Sequence, residues 1–134
     1  MRKYNIIAVF SKDRDRVLMC RRLKEPYSGL YNFVGGKVEE GENGEDAAYR
    51  ELREETGIMQ GDIDITHVMD FRYYVYDECL LEVYTGTLER DIDVSGDENE
   101  LCWVEIDEDF FDKRFAGEGN IGHIMEIIRQ LRNA

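Results

Sequence analysis

The segment from Gly36 to Ile58, GKVEEGENGEDAAYRELREETGI, concentrates the residues most able to do chemistry. It holds eight acids and three bases, a net of −5 in 23 residues. Residues 44–56 read as a helix, with Asn43 as N-cap, Asp46 three residues on, and Gly57 as the left-handed stop. At about 100° per residue, Glu51, Glu54 and Glu55 fall within about 100° of one another on the wheel, with the small Ala47 among them. Ala48, Tyr49, Leu52 and Thr56 lie roughly opposite and can face a core. Arg50 precedes Glu54 by four residues, close enough to orient that carboxylate. Three like charges on one face repel, and a hard cation would relieve them; an all-oxygen donor set points to Mg²⁺, with Mn²⁺ as substitute. The plainer reading is a solvated Glu/Arg face, and the helix by itself leaves both open.

Other elements must hold this helix in place. Lys3 to Phe10 and Arg16 to Arg22 read as strands around the charged turn at 11–15. Residues 23 to 30 are loop-like, and Tyr31 to Val34 forms a short strand that runs into Gly35-Gly36. After the helix come β-rich runs at 64–76, 79–88 and 101–106, with turn signals at Tyr76-Asp77-Glu78 and Ser95-Gly96-Asp97. In the last segment Ile121, Ile124, Ile127, Ile128 and Leu131 recur at helical spacing, which predicts a helix packed on the core. Strands interrupted by one helix and closed by another predict an α/β (α+β) layered domain with a mixed sheet.

Length and charge limit the partners. The 134 residues suit one domain, 1–134, and 43% hydrophobic residues suffice for a core. Seventeen basic against 30 acidic residues give a net charge of −13. That argues against nucleic-acid polymers and anionic membranes, both of which reward cationic surfaces. No apolar run is long enough to cross a bilayer, and Ile6 to Phe10 is too short for a secretory leader. Cys20, Cys79 and Cys102 are few, odd in number and far apart, as expected of inert core thiols in a reducing compartment. A cytoplasmic protein is expected, and a homodimer is allowed. Asp91, Asp93, Ser95 and Gly96 resemble the start of a calcium loop, but the twelfth position is Cys102 instead of the bidentate glutamate.

Gly36, Glu42, Arg50, Glu51, Leu52, Glu54, Glu55, Gly57 and Ile58 match every fixed position of G-x5-E-x7-R-E-U-x-E-E-x-G-U, with U aliphatic. This is the signature of the Nudix hydrolases, which the chain resembles over its whole length. The resemblance implies an α/β/α sandwich and Mg²⁺-dependent hydrolysis of a nucleoside diphosphate linked to another moiety. It assigns the Gly35 carbonyl, Glu51, Glu54 and Glu55 to the metal, Arg50 to their orientation, and Glu42 to a supporting role. Arg50, Glu51 and Glu54 are then the catalytic set, with a later carboxylate, Glu98, serving both catalysis and metal and Glu100 in reserve.

Within that family the chain is most similar to MutT-type enzymes, which hydrolyse oxidised purine nucleoside triphosphates such as 8-oxo-dGTP to a monophosphate and pyrophosphate. Asn32 takes the place of a base-reading amide, though it could equally make local backbone bonds. Arg22 matches a phosphate-contacting position and could also be a surface arginine. Phe71 and Tyr73 fall where aromatics flank the base, and their alternation also fits core packing. Phe115 to Asn120 would add a wall to the base pocket, with the expected acidic pair reduced to Glu118. Tyr73 and Tyr74 loosely match dinucleoside polyphosphate hydrolases, the alternative enzyme class; a non-catalytic nucleotide sensor is the other alternative. Arg72 stands where the ADP-ribose type has proline, and the SQPWPxPxS of the NADH type is absent.

Overall fold

A computed structural model describes residues 1–75, 77–96 and 99–133; Tyr76 and Asp97, expected in turns, and Glu98, expected in the site, lie outside the described residues. Six strands form one sheet: β1 (Arg2–Phe10), β2 (Arg16–Arg21), β3 (Tyr31–Lys37), β4 (Ile63–Tyr73), β5 (Cys79–Leu88) and β6 (Glu100–Glu105). The helices are α1 (Gly44–Thr56) and α2 (Asn120–Asn133), and a short 3₁₀ turn at Gln60–Asp62 leads into β4. The sheet order is β4-β5-β1-β3-β2-β6. Among the described strand pairs β1 and β5 run parallel and the others antiparallel, which makes the sheet mixed.

Strand alternation divides the core in two. Ile6, Ala8 and Phe10 of β1 pack with Ile121, Ile124 and Ile128 of α2, whereas Ile7 and Val9 pack with Ala48 and Leu52 of α1. Helices therefore cover opposite faces, giving the expected α/β/α sandwich. Burial on both sides explains why β1 and β2 are runs of apolar residues without polar alternation.

Two expectations for the helices need correction. Leu131, near the end of α2, is 57% exposed, whereas Ile121, Ile124 and Ile128, about one to three turns earlier, are buried. Ala47 does not share an open carboxylate face; it is fully buried, as is Ala48, because that side of α1 leans on the sheet. The chain also continues in strand pairing beyond Val34: Gly35 and Gly36 pair with Ile6 and Asn5 of β1. Among the cysteines only Cys20 is buried, and Cys79 and Cys102 are half-buried.

Candidate active site

The α1 helix is fixed at both ends as its sequence demands. Asn43 Oδ1 accepts the backbone N–H groups of Glu45 and Asp46, and Gly57, at φ 81°, donates its N–H to the Arg53 carbonyl. Tyr49 ties the helix to the sheet by accepting the Ile65 N–H at 3.1 Å. The acidic face is thereby laid against the end of β3.

Arg50 organises that face. Its Nε and Nη2 donate to both oxygens of Glu42 at 2.7 and 2.9 Å, and Nη1 donates to Glu51 at 3.0 Å and Glu54 at 3.1 Å. A further bond from Nη2 to the Lys37 carbonyl at 2.9 Å anchors the guanidinium to β3. One cation thus spaces three carboxylates that would otherwise repel, and the bidentate fork fixes its plane. The Arg50 guanidinium, with the Glu39 N–H, lowers the Glu42 carboxyl to about 2. The same contacts push Arg50 upward, Glu42 foremost. Glu51 is 14% exposed and Glu54 53%, so the face runs from half-buried to open.

The β3 glycines fit around these carboxylates. Glu55 accepts the Gly35 N–H at 2.7 Å. Gly36 donates its N–H to Asn5 Oδ1 at 3.0 Å. A Cβ at Gly36 would lie 2.4 Å from the Glu51 carboxylate, and one at Gly35 would lie 2.1 Å from the Asn5 carbonyl oxygen. Gly35 also takes φ 152°, open in practice to glycine alone. Asn5 was legible only as a strand residue; that it is buried and braces Gly36 follows from a register no local pattern shows.

A family model, the NUDIX domain, matches residues 1–121. The chain belongs to the Nudix family. It is 39% identical over 51 residues to an ADP-ribose pyrophosphatase of Methanocaldococcus jannaschii, a stretch covering 38% of this chain and 30% of that protein. It is 27% identical over 108 residues to the mouse oxidized purine nucleoside triphosphate hydrolase, covering 80% of this chain and 68% of that one. Among solved structures, a MutT from work on Aliivibrio salmonicida and Vibrio cholerae superposes with a TM-score of 0.72 at 27% identity, over 96% of this chain and 98% of that chain. The chain spans 17–39% of the length of the first three curated relatives it matches.

Membership in the Nudix family implies a divalent cation, and the residues present fit one. The donor set of Glu51, Glu54, Glu55 and the Gly35 carbonyl is all oxygen, as Mg²⁺ and Mn²⁺ prefer. The space a Gly36 side chain would fill is held by the Glu51 carboxylate. Ser95 and Gly96 lie against the C-terminal end of α1, where Ser95 donates its N–H to the Thr56 carbonyl. Gly96 lies beside the Glu55 carbonyl. Glu100 opens β6 and sits 3.8 Å from Arg21.

The remaining sequence-predicted residues are spread around the sheet. Asn32 Oδ1 accepts the N–H of Phe33 at 2.8 Å, a local bond. Its alternation parity is that of Val34 and of its pairing partner Cys20, both in the α1-side core. Phe71 packs on the α2 side, edge-on to His123. Arg22 donates from Nε to the Pro26 carbonyl at 2.7 Å, closing the loop before β3. Tyr73 is 42% exposed.

Tyr27, read in the sequence only as loop, proves central to that end of the molecule. Its hydroxyl donates to Glu118 at 2.8 Å across 91 residues. Burial, Glu118 and the nearby Tyr73 together push the Tyr27 phenol up to about 12. Phe115 pairs in a bridge with Tyr31 and stacks obliquely on it at 6.2 Å. The loops at 23–30 and 114–119 thus meet over the start of β3. Nothing local in the sequence signals this long-range pairing.

Proposed function

We propose that this chain is a metal-dependent pyrophosphohydrolase that cleaves the diphosphate linkage of a nucleoside triphosphate, with oxidised purine triphosphates as the preferred class. The observation that carries the reading is the Arg50-centred carboxylate set, with Glu55 bonded to Gly35 at its edge. Glu51, Glu54, Glu55 and the Gly35 carbonyl would hold Mg²⁺, which when bound would neutralise phosphate charge and acidify a water. Arg50 keeps Glu51 and Glu54 apart and aimed, so little reorganisation is needed when substrate arrives. Water attacks one phosphorus of the bridge, the bond to the bridging oxygen breaks, and nucleoside monophosphate and pyrophosphate leave. The water's proton passes to Glu51 or Glu98, and comparing Glu51→Gln with Glu98→Gln identifies the acceptor. Asn32, Phe71, Tyr73 and Arg22 are assigned to the base and phosphate on the strength of the family resemblance; of these, Arg22 and Tyr73 adjoin the loop that carries Tyr27. The similarity to the mouse oxidized purine hydrolase supports the substrate class.

The test is a product assay with Mg²⁺ or Mn²⁺ on oxidised and normal nucleoside triphosphates, ADP-ribose and dinucleoside polyphosphates. The reading expects monophosphate plus pyrophosphate, with the highest kcat/KM on an oxidised purine. Preference for a dinucleoside polyphosphate or ADP-ribose would overturn the substrate class. Nucleotide binding without turnover would overturn catalysis.

A further inference from the structure

A second cluster of donors lies on β4 and β5, apart from the Arg50-centred face. A register shift between His67 and Met69 inserts Val68 as a bulge, so that His67, opposite Tyr84, and Asp70, opposite Glu82, point to the same side of the sheet. Residues three apart in a regular strand would face opposite ways. The His67 Nε2 lies 2.6 Å from Asp70 Oδ1, and the ring stacks on Tyr84 at 4.7 Å and 18°. One ligand atom each from His67, Asp70 and Glu82 lies within 4.8 Å of the others.

Two features mark the cluster. Asp70 and Glu82 are like charges directly opposite across an antiparallel pair, an arrangement that destabilises a sheet unless compensated. Glu82 Oε1 is wholly buried and has no hydrogen-bond partner among the described residues; it lies beside Gly44 at the start of α1, and Nδ2 of Asn5, paired with Glu82 across β1 and β5, is likewise buried without a partner. A buried, unpaired carboxylate oxygen is expensive to leave unsatisfied. Burial and the charges of Glu82, Asp70 and Glu45 together push the Tyr84 phenol up to about 12, so negative potential does collect here.

We propose that His67, Asp70 and Glu82 form a second cation site that takes a divalent transition ion of the zinc type. An imidazole with two carboxylates is a nitrogen–oxygen set suited to Zn²⁺, unlike the all-oxygen face on α1. Two carboxylates and a neutral imidazole balance the ion's charge. Bonds of about 2.0–2.2 Å place tetrahedral donors roughly 3.4 Å apart. The His67–Asp70 contact then opens by under about 1 Å and Glu82 closes by up to about 1.4 Å, within reach of side-chain rotation. Glu82 is two strand spacings from Gly36, about 10 Å, so the ion is distinct from the one proposed for hydrolysis.

The experiment uses the whole chain in saturating Mg²⁺, with Zn²⁺ as probe and the imidazole NMR signals as readout. The chain has two histidines, so His67 and His123 are resolved, and zinc on the half-buried thiols does not obscure the reading. The expected result is a shift of the His67 signals that saturates at one equivalent, with His123 unchanged. Affinity should fall at least tenfold in Glu82→Gln and in Asp70→Asn, while amide spectra and Mg²⁺-dependent turnover stay as in the native chain. A His67 signal unmoved at one equivalent would overturn the proposal. So would an equal shift in both carboxylate variants, which would indicate a lone surface histidine. Failure here leaves the turnover assay untouched, and failure of turnover leaves this titration interpretable.

Discussion

A single methyl group at Gly36 should abolish most activity while sparing the fold. The alanine Cβ would sit 2.4 Å from the Glu51 carboxylate, where ordinary contact begins at 3.4 Å. The carboxylate must therefore withdraw by about 1 Å. It is the far end of a flexible side chain, so the shift costs little stability, and Gly36 needs no left-handed backbone. The withdrawal does stretch the 3.0 Å bond from Arg50 and moves a donor proposed for the cation. Misplacing a catalytic group by about 1 Å lowers the rate by roughly 10²-fold, or about 2.7 kcal/mol of barrier. Gly36→Ala should thus lose about 10²-fold in kcat with an unfolding free energy within about 1 kcal/mol of native. Gly35→Ala supplies the contrast, because its Cβ meets backbone at 2.1 Å and its φ is 152°; it should lose about 2 kcal/mol or more of stability. Initial rates of pyrophosphate release at saturating Mg²⁺, with denaturant unfolding of both variants, provide the test. A Gly36→Ala enzyme with native kcat would refute the assignment of Glu51.

Other substitutions probe the rest of the reading. Glu54→Gln and Glu55→Gln should each lower kcat by about 10²-fold or more, and should reduce the rise in Tm that Mg²⁺ gives the native chain; near-normal turnover in both would remove the site assignment. Asn32→Ala should cost about 1–3 kcal/mol in kcat/KM for the preferred purine and flatten discrimination among bases. A uniform drop on every nucleotide, with the order of preference kept, would reduce Asn32 to its local bond with Phe33. Glu42 has its carboxyl lowered from 4.5 to about 2 by Arg50 and the Glu39 N–H. Its stabilising contribution is therefore complete above pH 4.5 and is lost as pH falls toward 2. The stability gap between native and Glu42→Gln should close over that window, and a gap constant with pH would contradict it. Cys20 is buried and its thiol is pushed up to about 12, mainly by burial, so thiol reagents at neutral pH should label Cys79 and Cys102 before Cys20.

The sequence by itself determined the local and periodic features. The α1 helix, its Asn43 cap, its Gly57 stop and the Arg50–Glu54 contact are set by residues within a few positions of one another, and the structure places them as spacing predicts. The runs at β1 and β2 likewise read as strands, whereas the covering of both sheet faces is seen in the packing of α1 and α2. What lay out of reach depends on register between distant segments. Asn5 braces Gly36 because β1 pairs with β3 at that register, and Tyr27 reaches Glu118 because two loops meet over β3. The Val68 bulge turns His67 toward Asp70, against the alternation that the sequence alone would imply. Ala47 and Leu131 show the same limit for helices, since periodicity identifies a stripe but not how far burial extends along or around it. Local free energies fix helices, caps and strand character. Only long-range pairing, with its loop-closure cost and its choice of register, decides which side chains meet.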